Sequence, residues 1–232
     1  MYHSIQDIID VCNEENMEFW EVVQRTDMDE RAASSAESWT NMANIYQAMK
    51  DADKSYNARL RSASGLAGGD GEKLGFTDEQ MIHAMYVSAG VGAVIAENAF
   101  IAGASGGCQA EIGSASAMAA AGLVSLQGGT VENIAHGAAL ALKNMLGLAC
   151  DPVCGLVEVP CVKRNVAGAV NAVTAAQMAM AGIVSAIPVD EVIDTMRRIG
   201  NAMPESLKET AGGGLATTPT AALIAQRFQK CE

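Results

Sequence analysis

A chain of 232 residues, half of them hydrophobic, is long enough for one large domain or two small ones with a sizeable core. Its formal charge of −12 excludes nucleic acid as a main partner, because no basic stripe exists to hold phosphates; the pair Lys163 and Arg164 is too small to change that. The opening residues lack a basic start and an apolar signal core, so no secretion signal is predicted and the expected compartment is the cytoplasm, where thiols stay reduced.

Residues 4 to 25 read as helical: Ser4 with Asp7 forms a capping-box pattern, and Ile5, Ile8, Ile9 and Cys12 share one face. Residues 29 to 61 give a second, polar helical stretch striped by Met42, Ile45 and Tyr46. Residues 1–61 are therefore expected to form an N-terminal helical layer, and residues 62–232 a larger helical domain, the two making one compact unit. "SASGLAGGDGEKLG", residues 62 to 75, is a loop with four glycines between Gly65 and Gly71; no GK[ST] follows, so it is not a P-loop.

Further along, Thr77 with Gln80 and Thr130 before Ile134, Ala138 and Leu142 announce two more helices. A third is expected over residues 166 to 182. A fourth is expected over 189 to 199, with Gly200 as its C-cap, and a short terminal helix after "AGGGLATTPT". The uncharged run from Asn165 to Val189 is crowded with Ala, Gly, Asn, Thr, Gln and Ser, so it reads as protein interior and no membrane span is expected. No alternating run is long enough for a sheet; "GLVEVPC" suits at most a short extended piece broken by Pro160. The fold class is all-α: a compact bundle of buried Ala/Gly-rich helices joined by glycine-rich loops.

Two stretches carry the chemistry: "GGCQAEIGSAS" at 106 to 116 and "LACDPVCGLVEVPCVKRN" at 148 to 165. Cys150, Cys154 and Cys161 are spaced by four and seven, and no CxxC pair or ferredoxin spacing is present. Thiols on glycine-opened or proline-stiffened turns suit metal ligation. Buried core thiols and a redox nucleophile remain alternatives at this level, as does a zinc-binding structural protein. Lys163 and Arg164 are candidates to balance a cluster's charge or to bind a carboxylate, or are solvated surface charges. Glu111 suits a ligand contact or a helix cap, and Asn144 a substrate or a neighbouring loop. Asp151 is placed to orient a backbone turn. His83 reads as structural and His136 as a surface residue.

Those two stretches, together with "SGLAGGDGEKL" and "IPVDEVIDTMRRIGNAMPESLKETAGGGLATTPT", closely resemble the alpha chain of bacterial iron–sulfur-dependent L-serine dehydratase. The resemblance implies a 4Fe–4S cluster on Cys108, Cys150 and Cys161, with Cys154 as an extra thiol. One iron is left open as a Lewis acid for the β-hydroxyl of L-serine, which gives pyruvate and ammonia. It also implies a heterodimer with a separate beta chain. Lys163, Arg164, Asn144 and the loop from Ser64 to Asp70 are placed on the substrate carboxylate side, with Glu111 facing the ammonium. Cys231, next to the C-terminus, is a fourth or capping ligand by analogy with fused relatives, or else an idle thiol. Relatives carry roughly sixty more residues between "GGDGEKL" and "FTDEQMI"; their lack implies an apolar face without its cover and the alternative of an inactive subunit that still binds the beta chain.

Overall fold

The computed structural model describes residues 2–30, 34–55 and 75–229; most of the glycine-rich loop at 62 to 75 and Cys231 lie outside the described residues. Ten α-helices and no β-strand are found among them. They are α1 (Ile5–Glu15), α2 (Phe19–Glu30), α3 (Ser35–Ser55), α4 (Asp78–Asn98), α5 (Gly103–Gly106), α6 (Ser114–Leu126), α7 (Val131–Met145), α8 (Cys161–Met180), α9 (Val189–Ala202) and α10 (Pro219–Gln229). A π-helical turn, Gln109–Gly113, leads directly into α6.

The two expected capping boxes are present, and the expected cap Thr130 forms a third with Asn133. Ser4, Thr77 and Thr130 each accept from the backbone N–H three residues on, and Asp7, Gln80 and Asn133 return the bond. The first helical stretch divides at Asn16, whose left-handed φ of 55° ends α1 and lets α2 start afresh at Phe19. "GLVEVPC" folds as turns rather than as an extended piece, and the one β-bridge among the described residues joins Cys150 to Lys208. Gly200 does not cap α9. It is buried within the helix, where an added Cβ would lie 3.0 Å from Phe100 Cδ2 and 3.1 Å from Gly106 Cα.

The centre of the bundle is α6, a helix whose sequence carries no polar stripe. It touches α4, α7 and α8, and Ala117, Ala120, Ala121 and Val124 are fully buried. A helix apolar all round must be covered all round. Small residues let the covering helices come close: Ser88 Oγ on α4 donates to Met118 O on α6 at 2.9 Å, and a Cβ at Gly122 would lie 2.5 Å from that same Oγ. The apolar faces of α1 and α2, with Ile5, Ile8, Phe19 and Val22, join the same core cluster as Val91, Leu142 and Ile193. The uncharged run over α8 packs against α6 and α7, and no helix among the described residues is long and apolar enough to cross a membrane.

A second corner binds α2, α3 and α4. Tyr86, 1% exposed, anchors a hydrogen-bond chain: Gln24 Nε2 donates to its hydroxyl at 3.4 Å, the hydroxyl lies 2.8 Å from Ser38 Oγ, and Ser38 donates to Asp27 at 2.5 Å. Beside it, His83 stacks on Trp20 with ring centroids 3.8 Å apart and meets Trp39 edge-on at 5.5 Å. The structural reading of His83 matches this placement. Burial holds its pKa below the ordinary imidazole value, against the pull of Glu79, Glu21 and Glu18.

Two predictions follow from this packing. Gly122→Ala forces Ser88 off its bond to Met118 and crowds the Ala84 carbonyl, so it should destabilise the fold by about 1–2 kcal/mol despite alanine's better helix propensity, read from urea midpoints. The unfolded chain protonates His83 before the folded one does. Its contribution is therefore intact above the unfolded pKa of about 6.5 and is lost as pH falls below that value toward the lowered folded pKa. His83→Phe should keep the stack and flatten the decline in urea midpoint between about pH 7 and 5.

Candidate functional site

Cys108, Cys150 and Cys161 come from three segments that meet at one end of the bundle. Cys108 precedes the π-helical turn, a local widening that is frequent at functional sites. The approach to it requires glycine: Gly107 has φ +79°, and a Cβ there would lie 2.6 Å from Met203 Sδ and 2.8 Å from the Leu148 carbonyl. The next residue, Gln109, is fully buried and ties four segments together. Its backbone N–H donates to Leu148 O at 3.0 Å. Its side-chain nitrogen donates to Gly106 O at 2.9 Å and Met196 O at 3.2 Å, and its side-chain oxygen accepts from Gly147 N at 2.9 Å. Sequence reading passed over Gln109, since a lone glutamine beside a cysteine carries no signature.

Cys150 is held from both sides by backbone. Its N–H donates to Leu207 O and its carbonyl accepts from Glu209 N, each at 2.8 Å. Cys161 is the first residue of α8, directly after Pro160. Cys108 and Cys150 are 1% and 2% exposed and pack with Ile112 and Leu148, whereas Cys161 is half-buried. Burial pushes the Cys150 thiol well above its ordinary pKa, and the hydrogen-bonded Cys108 thiol pushes it further. Burial also raises Cys161, reinforced by Cys108 and opposed by Arg164. A Cβ at Gly103 would lie 2.9 Å from Cys150 Sγ and 3.3 Å from Glu111 Oε2, so the missing side chain leaves room beside both groups. Cys154 is exposed on a left-handed turn with φ 58°.

Of the charged candidates, Arg164 is the most committed. Its Nη1 donates to Asp151 Oδ1 at 2.6 Å and to Ala149 O at 2.8 Å, and lies 3.9 Å from Cys108 Sγ. Asp151, 4% exposed, accepts from Leu215 N at 2.7 Å through its other oxygen, and so orients a distant turn as well as its own. Lys163 and Glu111 are exposed. Asn144, exposed near the end of α7, donates to Asn171 Oδ1 at 2.7 Å. Asn171 donates in turn to Ser116 Oγ at 2.8 Å and Ala141 O at 2.9 Å, and Ser116 donates to Gly168 O at 2.8 Å. His136 is partly buried and accepts from Ser185 N at 3.4 Å.

Among the described residues no three His, Cys, Asp or Glu close round a single metal ion. Cys108 and Cys150 pack together in a buried corner, half-buried Cys161 is near enough to Cys108 to feel its charge, and the Arg164 guanidinium lies beside Cys108.

The serine dehydratase alpha chain family matches residues 70–216 of this chain, a span that includes all three cysteines. A probable L-serine dehydratase, alpha chain, from Bacillus subtilis (strain 168) is 62% identical over 149 residues, which are 64% of this chain and 50% of that protein. The corresponding protein of Latilactobacillus sakei is 55% identical over 149 residues, 64% of this chain and 71% of that one. The L-serine dehydratase alpha chain of Peptoniphilus asaccharolyticus is 49% identical over 159 residues, covering 68% and 54% respectively. The chain thus spans about half the length of two of these relatives and about seven-tenths of the third.

The burial pattern predicts an order of thiol reactivity. In metal-free, reduced protein at neutral pH, iodoacetamide should label exposed Cys154 at least about tenfold faster than Cys108 or Cys150, as measured by peptide mass spectrometry against time.

Proposed function

Because the chain belongs to the serine dehydratase alpha chain family, we propose that it is the alpha subunit of an L-serine ammonia-lyase, which eliminates water from L-serine to yield pyruvate and ammonia in amino-acid degradation. The observation that supports this reading is that buried Cys108 and Cys150 pack together with half-buried Cys161 nearby, all within the matched span.

Cys108, Cys150 and Cys161 are the residues that would hold a 4Fe–4S cluster, and Cys231 is a candidate fourth or capping ligand. Such a cluster supplies a Lewis-acidic iron for serine's β-hydroxyl, a poor leaving group on its own. The chain's own residues do the rest. Burial of Cys108 and Cys150 keeps water from the ligand sulfurs. Exposed Lys163 is free to meet a carboxylate as a mobile point charge, and Glu111, on the π-helical turn, offers a counter-charge for an ammonium. Asn144 is held from behind by Asn171, so it meets substrate as a fixed group. A beta chain completes the enzyme as a heterodimer.

One feature of the sequence favours a second reading, an inactive subunit that still binds the beta chain: the roughly sixty residues that the resemblance leads one to expect between "GGDGEKL" and "FTDEQMI" are lacking. Anaerobic reconstitution with iron and sulfide should give a brown protein with about four irons per chain. Cys150→Ser should lose most of that iron. Addition of the beta chain should then release pyruvate from L-serine, measured with lactate dehydrogenase. A colourless protein whose Cys150→Ser variant binds iron equally well sinks the cluster. A brown complex that releases no pyruvate selects the inactive subunit, and tight zinc without visible absorption selects a structural zinc protein.

A further inference from the structure

Arg164 and Asp151 form the most buried ion pair among the described residues, with side chains 20% and 6% exposed and 2.6 Å apart. A buried pair of this kind is costly to desolvate and needs its remaining hydrogen bonds satisfied. Both members are. Arg164 Nη1 donates to Asp151 and to the Ala149 carbonyl, and lies 3.9 Å from Cys108 Sγ. Asp151 Oδ2 takes the Leu215 amide of the turn before α10. That turn is shaped to admit the carboxylate: Gly214 has φ +58°, and a side chain there would overlap Asp151 Oδ2 and come within 2.8 Å of its Cβ. One carboxylate therefore clamps α8 and the C-terminal turn, and the cation it holds sits beside a ligand sulfur.

We propose that Arg164 is a positioning residue dedicated to the Cys108 sulfur rather than to the substrate, and that Asp151, by gripping Arg164 and the Leu215 amide together, makes the charge at that sulfur depend on how the turn at 212–218 is seated. The proposal rests on the cluster reading above. A substrate-binding arginine presents two parallel N–H groups to a carboxylate; here an internal carboxylate and a carbonyl already hold Nη1, so the end-on pair of Nη1 and Nη2 is closed to a substrate. A charged donor near a cluster thiolate stabilises the electron-rich reduced state and raises the reduction potential. Asp151 itself touches no ligand sulfur and acts through Arg164 alone.

The test is a reductive titration of the reconstituted chain, followed by visible absorption, with hydrogen exchange of the 209–218 segment measured in parallel. Arg164→Gln should retain iron and lower the potential, so that the oxidised-to-reduced ratio at the wild-type midpoint rises about tenfold, about 59 mV for a one-electron couple. Arg164→Lys, which keeps the charge without the fork, should recover part of that shift. Gly214→Ala alters no charge; it should speed exchange at the Leu215 amide and move the potential part of the way toward the Arg164→Gln value. A full complement of iron with unchanged potential in Arg164→Gln overturns the proposal. Accelerated exchange in Gly214→Ala with a wild-type potential overturns the coupling to the turn. If Arg164→Gln does not fold, Arg164→Lys and Gly214→Ala decide by the same measures. If the wild type itself takes up no iron, it is the cluster reading that fails, and exchange at the Leu215 amide in Asp151→Asn still judges the clamp.

Discussion

The end of the bundle that carries Cys108 and Cys150 depends on one buried side-chain amide. Gln109 has no access to water, so each of its polar atoms must find a partner inside the protein. It finds them on the helix before Cys108, on α9 and on the turn before Cys150. The same residue's backbone binds Leu148. The relative placement of two thiols separated by 42 residues of chain is thereby set by hydrogen bonds that cannot be traded for water without leaving a buried polar group orphaned. Around this knot the remaining constraints are steric: Gly107 and Gly200 are places where a neighbour occupies the volume a Cβ would need.

The rest of the bundle serves this corner by keeping α6 fixed. A helix mostly of Ala, Gly and Ser has little surface to grip, so its position is determined by how closely α4, α7 and α8 approach it. Short side chains lose little rotamer entropy on burial, and close backbone approach replaces large apolar area as the source of cohesion. The π-helical turn at the head of α6 inherits that rigidity, and Cys108 stands immediately before it.

Much of this was legible in the sequence. The three capping boxes, the apolar faces of α1, α7 and α9, and the all-helical class all follow from periodicity and caps. The helix over 114 to 126 was not, because periodicity reports contrast between two faces and α6 has none. Gly200 read as a helix stop because local rules cannot see that Phe100 presses on it from another segment. In the candidate site, the cysteines were recognisable from motif resemblance, whereas their supports were not. Gln109, Asn171 and the second bond of Asp151 act over sequence separations that no local pattern encodes. Arg164 was visible as a charge near the site; its commitment to Asp151 required the fold.

The bonds behind Asn144 also have a direction. Ser116 gives its proton to the Gly168 carbonyl, so it can only accept from Asn171. Both protons of the Asn171 amide go to Ser116 and Ala141, so its oxygen must in turn receive one from Asn144. The sense of every donor is therefore fixed from the core outward, like one-way valves in series. What arrives at the surface is an amide turned nitrogen-inward, with its carbonyl oxygen leading. A leading oxygen welcomes an ammonium or a hydroxyl and repels a carboxylate, so the polarity that Asn144 presents at the surface is written inside the bundle.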